Sequence, residues 1–376
     1  TQFDFTRHWQ GMLKADQSGL GIMVPVAAEI KKAVSIPVGA VTYMDPARDP
    51  EFFESLIASG ELDFILMNRP LSVDYDYLHK LEEGRIDEIR PCTRCMHCHW
   101  DAADDGNLTF SCRTNAAHPF RFVTGQLTGS YDPEPAATAK NVVVVGAGPA
   151  GLEAARVAAE RGHSVTLYEK KGSVGGLLEF ANNVKGPHEN LSVLRSYFER
   201  QMEVLGVNVM LNTEATADII AEASPDIVIA ATGGVRDTLG LSDTAGTKVV
   251  GIDDFMMADI AEEVVIVGSN VQAIDAAMHL LAQGKHVQVV TPNAASAIGA
   301  GHSFWVKTFT QPNMKALGVR FWPEATVTAV NDGSVTVKTA TGIEQEIACG
   351  TVVEALDCLP NDNLSTGLSC EVVTVG

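Results

Sequence analysis

No uninterrupted apolar run in the 376 residues reaches the roughly 18–20 that a membrane-spanning helix needs. No signal peptide is visible at the N-terminus, and a cytoplasmic location is expected. Basic residues are scarce: 27 Lys and Arg stand against 47 Asp and Glu, a formal charge of −20. A chain that acidic is repelled by phosphate backbones and anionic lipid, which argues against nucleic acid or a membrane surface as its main partner. A small-molecule substrate and a protein with a basic docking face remain. Cysteine is sparse, seven residues, and four of them cluster. That usage suits a metal centre in a cytosolic protein better than a secreted disulfide scaffold. There is no tandem repeat and no low-complexity tract. The apolar fraction, 46%, is ordinary for a soluble globular protein, and the length allows two or three domains. The chain starts at Thr1 rather than Met and closes on Glu371–Gly376, which reads as a strand and the start of a turn. A fragment cut at both ends is expected.

The most informative stretch runs from Asn141 to Lys171. Val142 to Val145 form a short β-branched run, the pattern of a strand buried on both faces. Gly146, Gly148 and Gly151 follow as G-x-G-x-x-G. The first glycine permits a tight turn, the second lets the backbone approach a pyrophosphate, and the third lets the helix pack on the sheet. The helix that follows ends at Gly162, and its N-terminal N–H groups and dipole favour phosphate. A second strand, Ser164 to Tyr168, leads to Glu169, eighteen residues past Gly151, a carboxylate placed for a ribose.

Elsewhere the chain reads as α/β. Helices are expected over 26–33 and 50–59, and strands over 36–41 and 63–67. This alternation suits parallel structure, although two such units cannot close an eight-stranded barrel. Beyond the glycine loop, 191–205 reads as a helix, 207–211 as a strand, and 226–234 as a strand entering a small-residue turn. A second unit of the same kind has a strand and turn at 263–268, a helix over 271–283 and a strand over 285–290. Hairpin strands follow around Asn331-Asp332-Gly333. The expected domains are 1–90, 91–130, then 140–240 together with 351–376, with 241–350 inserted between them.

Cys92, Cys95 and Cys98 form C-x2-C-x2-C, with Cys112 further on. Three thiolates on one loop and a fourth from a separate turn suit a cuboidal iron–sulfur cluster. Zinc, which more often pairs two C-x2-C units, is the alternative. His97 and His99 could be ligands, but with four cysteines completing the set they read rather as neighbours of such a site or as solvated residues. Cys349, Cys358 and Cys370 read as small core residues.

Several segments together carry a resemblance: Ile36-Pro37-Val38, Asn68-Arg69-Pro70-Leu71, Lys80 to Arg85, Ile89-Arg90-Pro91-Cys92, the four cysteines, the glycine loop and Ala231-Thr232-Gly233. The chain resembles the C-terminal part of the old-yellow-enzyme-type iron–sulfur flavoproteins, which include trimethylamine dehydrogenase, 2,4-dienoyl-CoA reductase and the dehydrogenases that demethylate dimethylglycine. The resemblance implies an α/β architecture: the end of a TIM barrel over 1–90, an iron–sulfur segment over 91–130, and two interleaved Rossmann-like dinucleotide domains. It implies that Cys92, Cys95, Cys98 and Cys112 hold a [4Fe–4S] cluster. It also implies that Gly146, Gly148, Pro149, Ala150 and Gly151 cradle the pyrophosphate of FAD or ADP, with Glu169 at the ribose. Lys170, Gly175 and Gly176 are further nucleotide contacts, Ala231, Thr232 and Gly233 close over the flavin side, and Arg69 stands near an FMN phosphate.

Two departures qualify this. Thr42 and Asn68 stand where the family carries glycines at the FMN phosphate, which puts FMN binding by this segment in doubt. The second loop, Gly268-Ser269-Asn270-Val271-Gln272-Ala273, keeps only the first of three glycines, and Asn270 would crowd a pyrophosphate. Thr291-Pro292-Asn293 offers no base for a 2′-phosphate. The expectation is therefore a flavin and iron–sulfur dehydrogenase of a small methylated amine. It would pass electrons to a protein such as an electron-transfer flavoprotein rather than use NAD(P)H. An NAD(P)H-dependent enoyl reductase and a non-catalytic electron-relay or nucleotide-binding module are the alternatives. A homo-oligomer is expected. No catalytic acid or base is identifiable.

Overall fold

The computed structural model describes residues 20–95, 97–99, 112–115, 117, 133–185, 189–302, 304–361, 364 and 368–376. Of the 91–130 segment, therefore, only the four cysteines and a few neighbours fall among the described residues. The chain is mixed α/β with parallel sheets and divides into two compact units. Among the described residues, the first takes in those from 20 to 98, from 112 to 232 and from 364 to 376, and the second takes in His99 and those from 233 to 361.

The first unit is built on a five-stranded parallel sheet. Its order is Glu371–Thr374, Ile227–Ala230, Asn141–Val145, Ser164–Tyr168, Asn208–Met210. The valine run lies at its centre, and Val143 and Val144 are wholly buried, as a strand covered on both faces must be. The helix Pro149–Glu160 leaves this strand and buries Leu152 and Ala155 against the sheet. A longer helix, Leu191–Val204, adds Leu194, Tyr197, Phe198 and Met202 to the same core. Residues 20–90 contribute the helices Val24–Ala33 and Pro50–Ala58 and the short parallel strands Gly39–Ala40 and Phe64–Ile65. Asp49 caps the second helix by accepting from the Phe52 N–H at 3.0 Å, the local reason it starts at Pro50.

The second unit repeats the theme. Its parallel sheet has the order Arg320–Trp322, His286–Val290, Glu263–Val267, Thr351–Glu354, Lys248–Gly251. An antiparallel meander follows, Ala325–Asn331, Ser334–Thr339 and Glu344–Ala348, and it shares a core with the sheet through Val327, Val335 and Val337.

The boundaries differ from the sequence reading. Thr351–Glu354 is an inner strand of the second sheet, and Cys358–Pro360 pairs with Gly234–Arg236 inside the second unit. The return to the first sheet is the strand Glu371–Thr374. A buried β-branched strand looks the same in either sheet, and the sheet it joins is decided by long-range packing. Cys349 is buried in the second unit's core and half-buried Cys370 packs against the first unit's core, whereas Cys358 is exposed and is not a core residue. The helices Leu177–Lys185, Ala217–Glu222 and Phe304–Ala316 were not expected.

Candidate functional site

In an open parallel sheet, ligands bind beyond the carboxyl ends of the strands, where the strand order reverses. In the first sheet that point lies between Asn141–Val145 and Ile227–Ala230. The loops leaving these strands are Gly146–Gly151 and Ala231–Gly233, and they touch. Gly146 has φ +100°, and a Cβ there would stand 2.3 Å from the Ala231 carbonyl oxygen. A Cβ at Gly151 would stand 1.9 Å from the Gly146 carbonyl oxygen. Both positions exclude every residue but glycine by contact with backbone. Gly148 is different: a Cβ there would meet nothing within 4 Å, and the space in front of it is open. Gly148 is the N-cap of the helix Pro149–Glu160, and no side chain caps that helix, which leaves its first N–H groups to a ligand.

The other residues singled out in this unit gather on the same loop. The Gly175 N–H donates to the Ala147 carbonyl at 2.8 Å, and Gly176 packs on the Gly148 Cα. Glu169 is buried. One carboxylate oxygen accepts from the Ala147 N–H and the other from the Lys171 N–H, each at 2.8 Å, so the acid is held against the glycine loop with lone pairs to spare. Lys170 next to it is exposed. Gly376 approaches Ala150, since a Cβ on it would stand 3.0 Å from the alanine methyl. The open cradle, the uncapped helix and the buried acid fit the pyrophosphate and ribose of an ADP moiety.

The second sheet reverses its order between Glu263–Val267 and Thr351–Glu354. Gly268 repeats the geometry of Gly146: φ is +144°, and a Cβ would stand 2.2 Å from the Ala355 carbonyl oxygen. There the likeness ends. Asn270 caps the helix Val271–Ala282, its side-chain oxygen accepting from the Ala273 N–H at 3.0 Å. Its amide nitrogen donates to the Ala355 carbonyl at 3.1 Å and to Asp357 Oδ1 at 2.9 Å, bridging both loops of the crevice. The Gly299 N–H donates to the Ser269 carbonyl, and Asn293 Nδ2 donates to Ser269 Oγ at 3.0 Å. The Asn270 amide thus satisfies the helix N-terminus and spans the mouth of the crevice, with the Asp357 carboxylate beside it. These residues do not fit a dinucleotide pyrophosphate.

The cysteines lie at another corner of the first unit. None forms a disulfide. Burial pushes the Cys92 thiol up to about 12 and Cys98 up to about 11, opposed in each case by the nearby charge of Arg69, and burial raises Cys95 as well. Cys92 lies within electrostatic reach of Cys95 and Cys98, and Cys98 within reach of Cys95 and Cys112. Among the described residues, no three His, Cys, Asp or Glu side chains are drawn close enough to hold a metal as they stand. In donor chemistry the set of four free thiols, three of them on one loop, fits an iron–sulfur cluster.

Arg69, expected at a phosphate, is half-buried and within electrostatic reach of Cys92, Cys98, Asp45 and Arg94. Thr42 adopts φ +92° and Tyr43 φ +48°, left-handed backbone that costs a β-branched residue about 1–3 kcal/mol. The turn therefore keeps a glycine-like shape without glycine. Residues not expected here are Tyr43, whose ring centroid lies 3.7 Å from the Arg94 guanidinium carbon, and the buried pair Asp45 and Tyr77. The Tyr77 hydroxyl donates to Asp45 at 2.7 Å and accepts from the Ala47 N–H at 2.7 Å. No local spacing signals them, because they meet only when the strand ends fold together.

The model of the family described as pyridine nucleotide-disulphide oxidoreductase matches residues 140–374. Over 285 residues the chain is 36% identical to the NADH oxidase of Thermoanaerobacter brockii, covering 74% of this chain and 42% of that protein. It is 30% identical over 316 residues to the dimethylamine dehydrogenase of Hyphomicrobium sp. (strain x), covering 78% of this chain and 40% of that one. Its fold superimposes on 2-naphthoyl-CoA reductase, solved with 2-naphthoyl-CoA, with a TM-score of 0.82 and 29% identity, covering 95% of this chain and 53% of that one. The chain thus spans about half or less of the length of each. The chain belongs to the pyridine nucleotide-disulphide oxidoreductase family and is related to the old-yellow-enzyme-type iron–sulfur flavoproteins that its motifs resemble.

Proposed function

We propose that this chain carries the electron-transfer part of a flavin- and [4Fe–4S]-dependent dehydrogenase. In this reading the enzyme oxidises a small methylated amine and hands the electrons to a protein acceptor such as an electron-transfer flavoprotein. The contrast between the two glycine loops carries the reading. The first helix is uncapped and faces open space at Gly148. The second is capped by its own Asn270, tied to Asp357. FAD or ADP at the first loop and no NAD(P)H at the second is the assignment that follows. Gly146–Gly151, Glu169, Lys170, Gly175, Gly176 and Ala231–Gly233 would hold the nucleotide, and Cys92, Cys95, Cys98 and Cys112 the cluster. When bound, the flavin and the cluster supply the redox chemistry, and the protein positions and insulates them.

Residues 20–90 support a place at the end of a barrel. Val41, Phe64 and Leu66, on or beside the two short strands, are exposed, as on a sheet whose neighbouring strands are missing. FMN would sit in that barrel, with Arg69 and the Thr42 turn facing its phosphate.

A second reading, an NAD(P)H-dependent dienoyl-CoA or enoate reductase, is favoured by the likeness to the NADH oxidase and to 2-naphthoyl-CoA reductase. Stopped-flow mixing of the oxidised full-length enzyme with NADH, NADPH and dimethylamine separates the two. Flavin reduction by the amine alone is expected, and rapid saturating reduction by either nicotinamide nucleotide would establish the reductase instead.

A further inference from the structure

The cysteine corner is tied to the helix Pro149–Glu160 by the side chain of Arg90. Arg90 precedes Cys92 by two residues and is only 5% exposed. Its backbone N–H donates to Asp74 Oδ2 at 2.8 Å. One edge of its guanidinium donates to the carbonyl oxygen of Thr114, two residues after Cys112. The other terminal nitrogen of the guanidinium, Nη2, donates to both carboxylate oxygens of Glu153, at 3.1 and 3.2 Å. Its face lies 5.1 Å from the centroid of the Tyr197 ring. Glu153 belongs to the helix Pro149–Glu160, whose uncapped N-terminus follows the glycine loop, and it is held from its other side by Arg156 at 3.1 Å.

Cys112 is separated from Cys98 by thirteen residues, so local geometry cannot set where its thiol points. Long-range contacts must do so. Those seen among the described residues of the turn include the Arg90 bond to Thr114 and a bond from Asn115 Nδ2 to the Val73 carbonyl at 2.8 Å. Thr114 Oγ1 in turn lies 3.4 Å from the Cys112 sulfur. Only a planar, two-edged guanidinium can hold a carbonyl on one side and a carboxylate on the other, and lysine cannot reproduce that fork.

We propose that Arg90 is a positioning residue for the fourth cluster ligand: it holds the Cys112 turn in register with the Cys92–Cys98 loop and fixes both against the nucleotide helix through Glu153. The proposal rests on the reading of the four cysteines as [4Fe–4S] ligands. A merely structural arginine would lower stability when replaced and leave the cluster type unchanged. A positioning arginine changes the cluster type, because a cluster that loses its fourth thiolate sheds one iron.

The test is anaerobic reconstitution of the chain with iron and sulfide as wild type, Arg90→Lys and Arg90→Ala. It is read by iron and sulfide content and by electron paramagnetic resonance after anaerobic addition of one equivalent of ferricyanide, which takes up the electron released when a four-iron cluster becomes an oxidised three-iron cluster. The wild type is expected to be silent, with about four irons and four sulfides per chain. Both variants are expected to show the signal of a three-iron cluster and to lose about one iron in four. Added methylguanidinium is expected to restore the silent four-iron form in Arg90→Ala. Full iron content and silence in both variants would overturn the proposal while leaving the cluster reading intact. Stoichiometric zinc without sulfide in the wild type would overturn both. If the Arg90 variants do not fold, Glu153→Gln serves in their place. It is expected to release iron to a chelator several-fold faster than wild type, and an unchanged rate would overturn the proposal.

Discussion

Gly148→Val separates binding from folding. The backbone at Gly148 has φ −73° and ψ 178°, an extended conformation that valine adopts without strain. A Cβ there meets no atom within 4 Å, so the fold accommodates the side chain. The penalty to the apoprotein is the weaker capping preference of valine, at most about 1 kcal/mol. The penalty to binding is larger. Valine methyls would fill the space through which the loop approaches a pyrophosphate, and backbone hydrogen bonds to a charged group are worth about 1.5–3 kcal/mol each. Losing two of them is about 3–6 kcal/mol, a fall in affinity of at least about 100-fold. Calorimetric titration with ADP and with FAD reads the affinity, and thermal unfolding reads the stability. Gly151→Ala is the contrasting control. Its Cβ would stand 1.9 Å from the Gly146 carbonyl oxygen, and it should lose about 1–3 kcal/mol of stability through overpacking. Unchanged nucleotide affinity in Gly148→Val would show that the cradle lies elsewhere. Unfolding of Gly148→Val to the extent of Gly151→Ala would show that the space is not open.

Four further outcomes follow from the structure. Burial holds the Cys92 and Cys98 thiols protonated at neutral pH, so iron loading must release protons and strengthen as pH rises; proton release in weak buffer reads it, and a pH-independent loading would contradict it. Asn270→Gly removes the cap on Ala273 and the tie to Asp357. Loss of the cap to glycine should cost only about a few tenths of a kcal/mol of stability and, combined with Asp357→Ala, the change should raise NADH affinity as followed by nucleotide fluorescence; affinity unchanged in the double variant would contradict the closure. Burial, its largest influence, raises the pKa of Asp45 despite Arg48 and Tyr77. Its contribution to stability is therefore fully present below the ordinary carboxylate pKa and lost as pH rises through the raised value. Asp45→Asn should flatten that slope in unfolding titrations. Tyr77→Phe should cost about 1–3 kcal/mol by leaving the Ala47 N–H and Asp45 without their partner.

The fold around the first glycine loop was legible because strand, turn, helix and acid lie within thirty-one consecutive residues, Asn141 to Lys171, and each rests on a local rule. The second loop was half legible. The side chain at Asn270 signalled crowding, but its capping bond and its reach to Asp357 depend on Thr351–Glu354 lying next to Glu263–Val267. That neighbourhood has no local signature. Thr351–Glu354 was assigned to the wrong sheet for the same reason. Arg90 was visible only as part of a run before Cys92; Thr114 and Glu153, 24 and 63 residues away, gave no sign that they meet it. The left-handed backbone at Thr42 was hidden because threonine does not announce a positive φ as glycine does.

The most direct measurement is hydrogen exchange of the chain with ADP and with NADH in parallel, resolved over the two glycine loops. Slowed exchange over 146–151 and 175–176 with ADP, with no change over 268–273 at saturating NADH, is the expected result. Protection of 268–273 by micromolar NADH would contradict the assignment of one open and one closed nucleotide site.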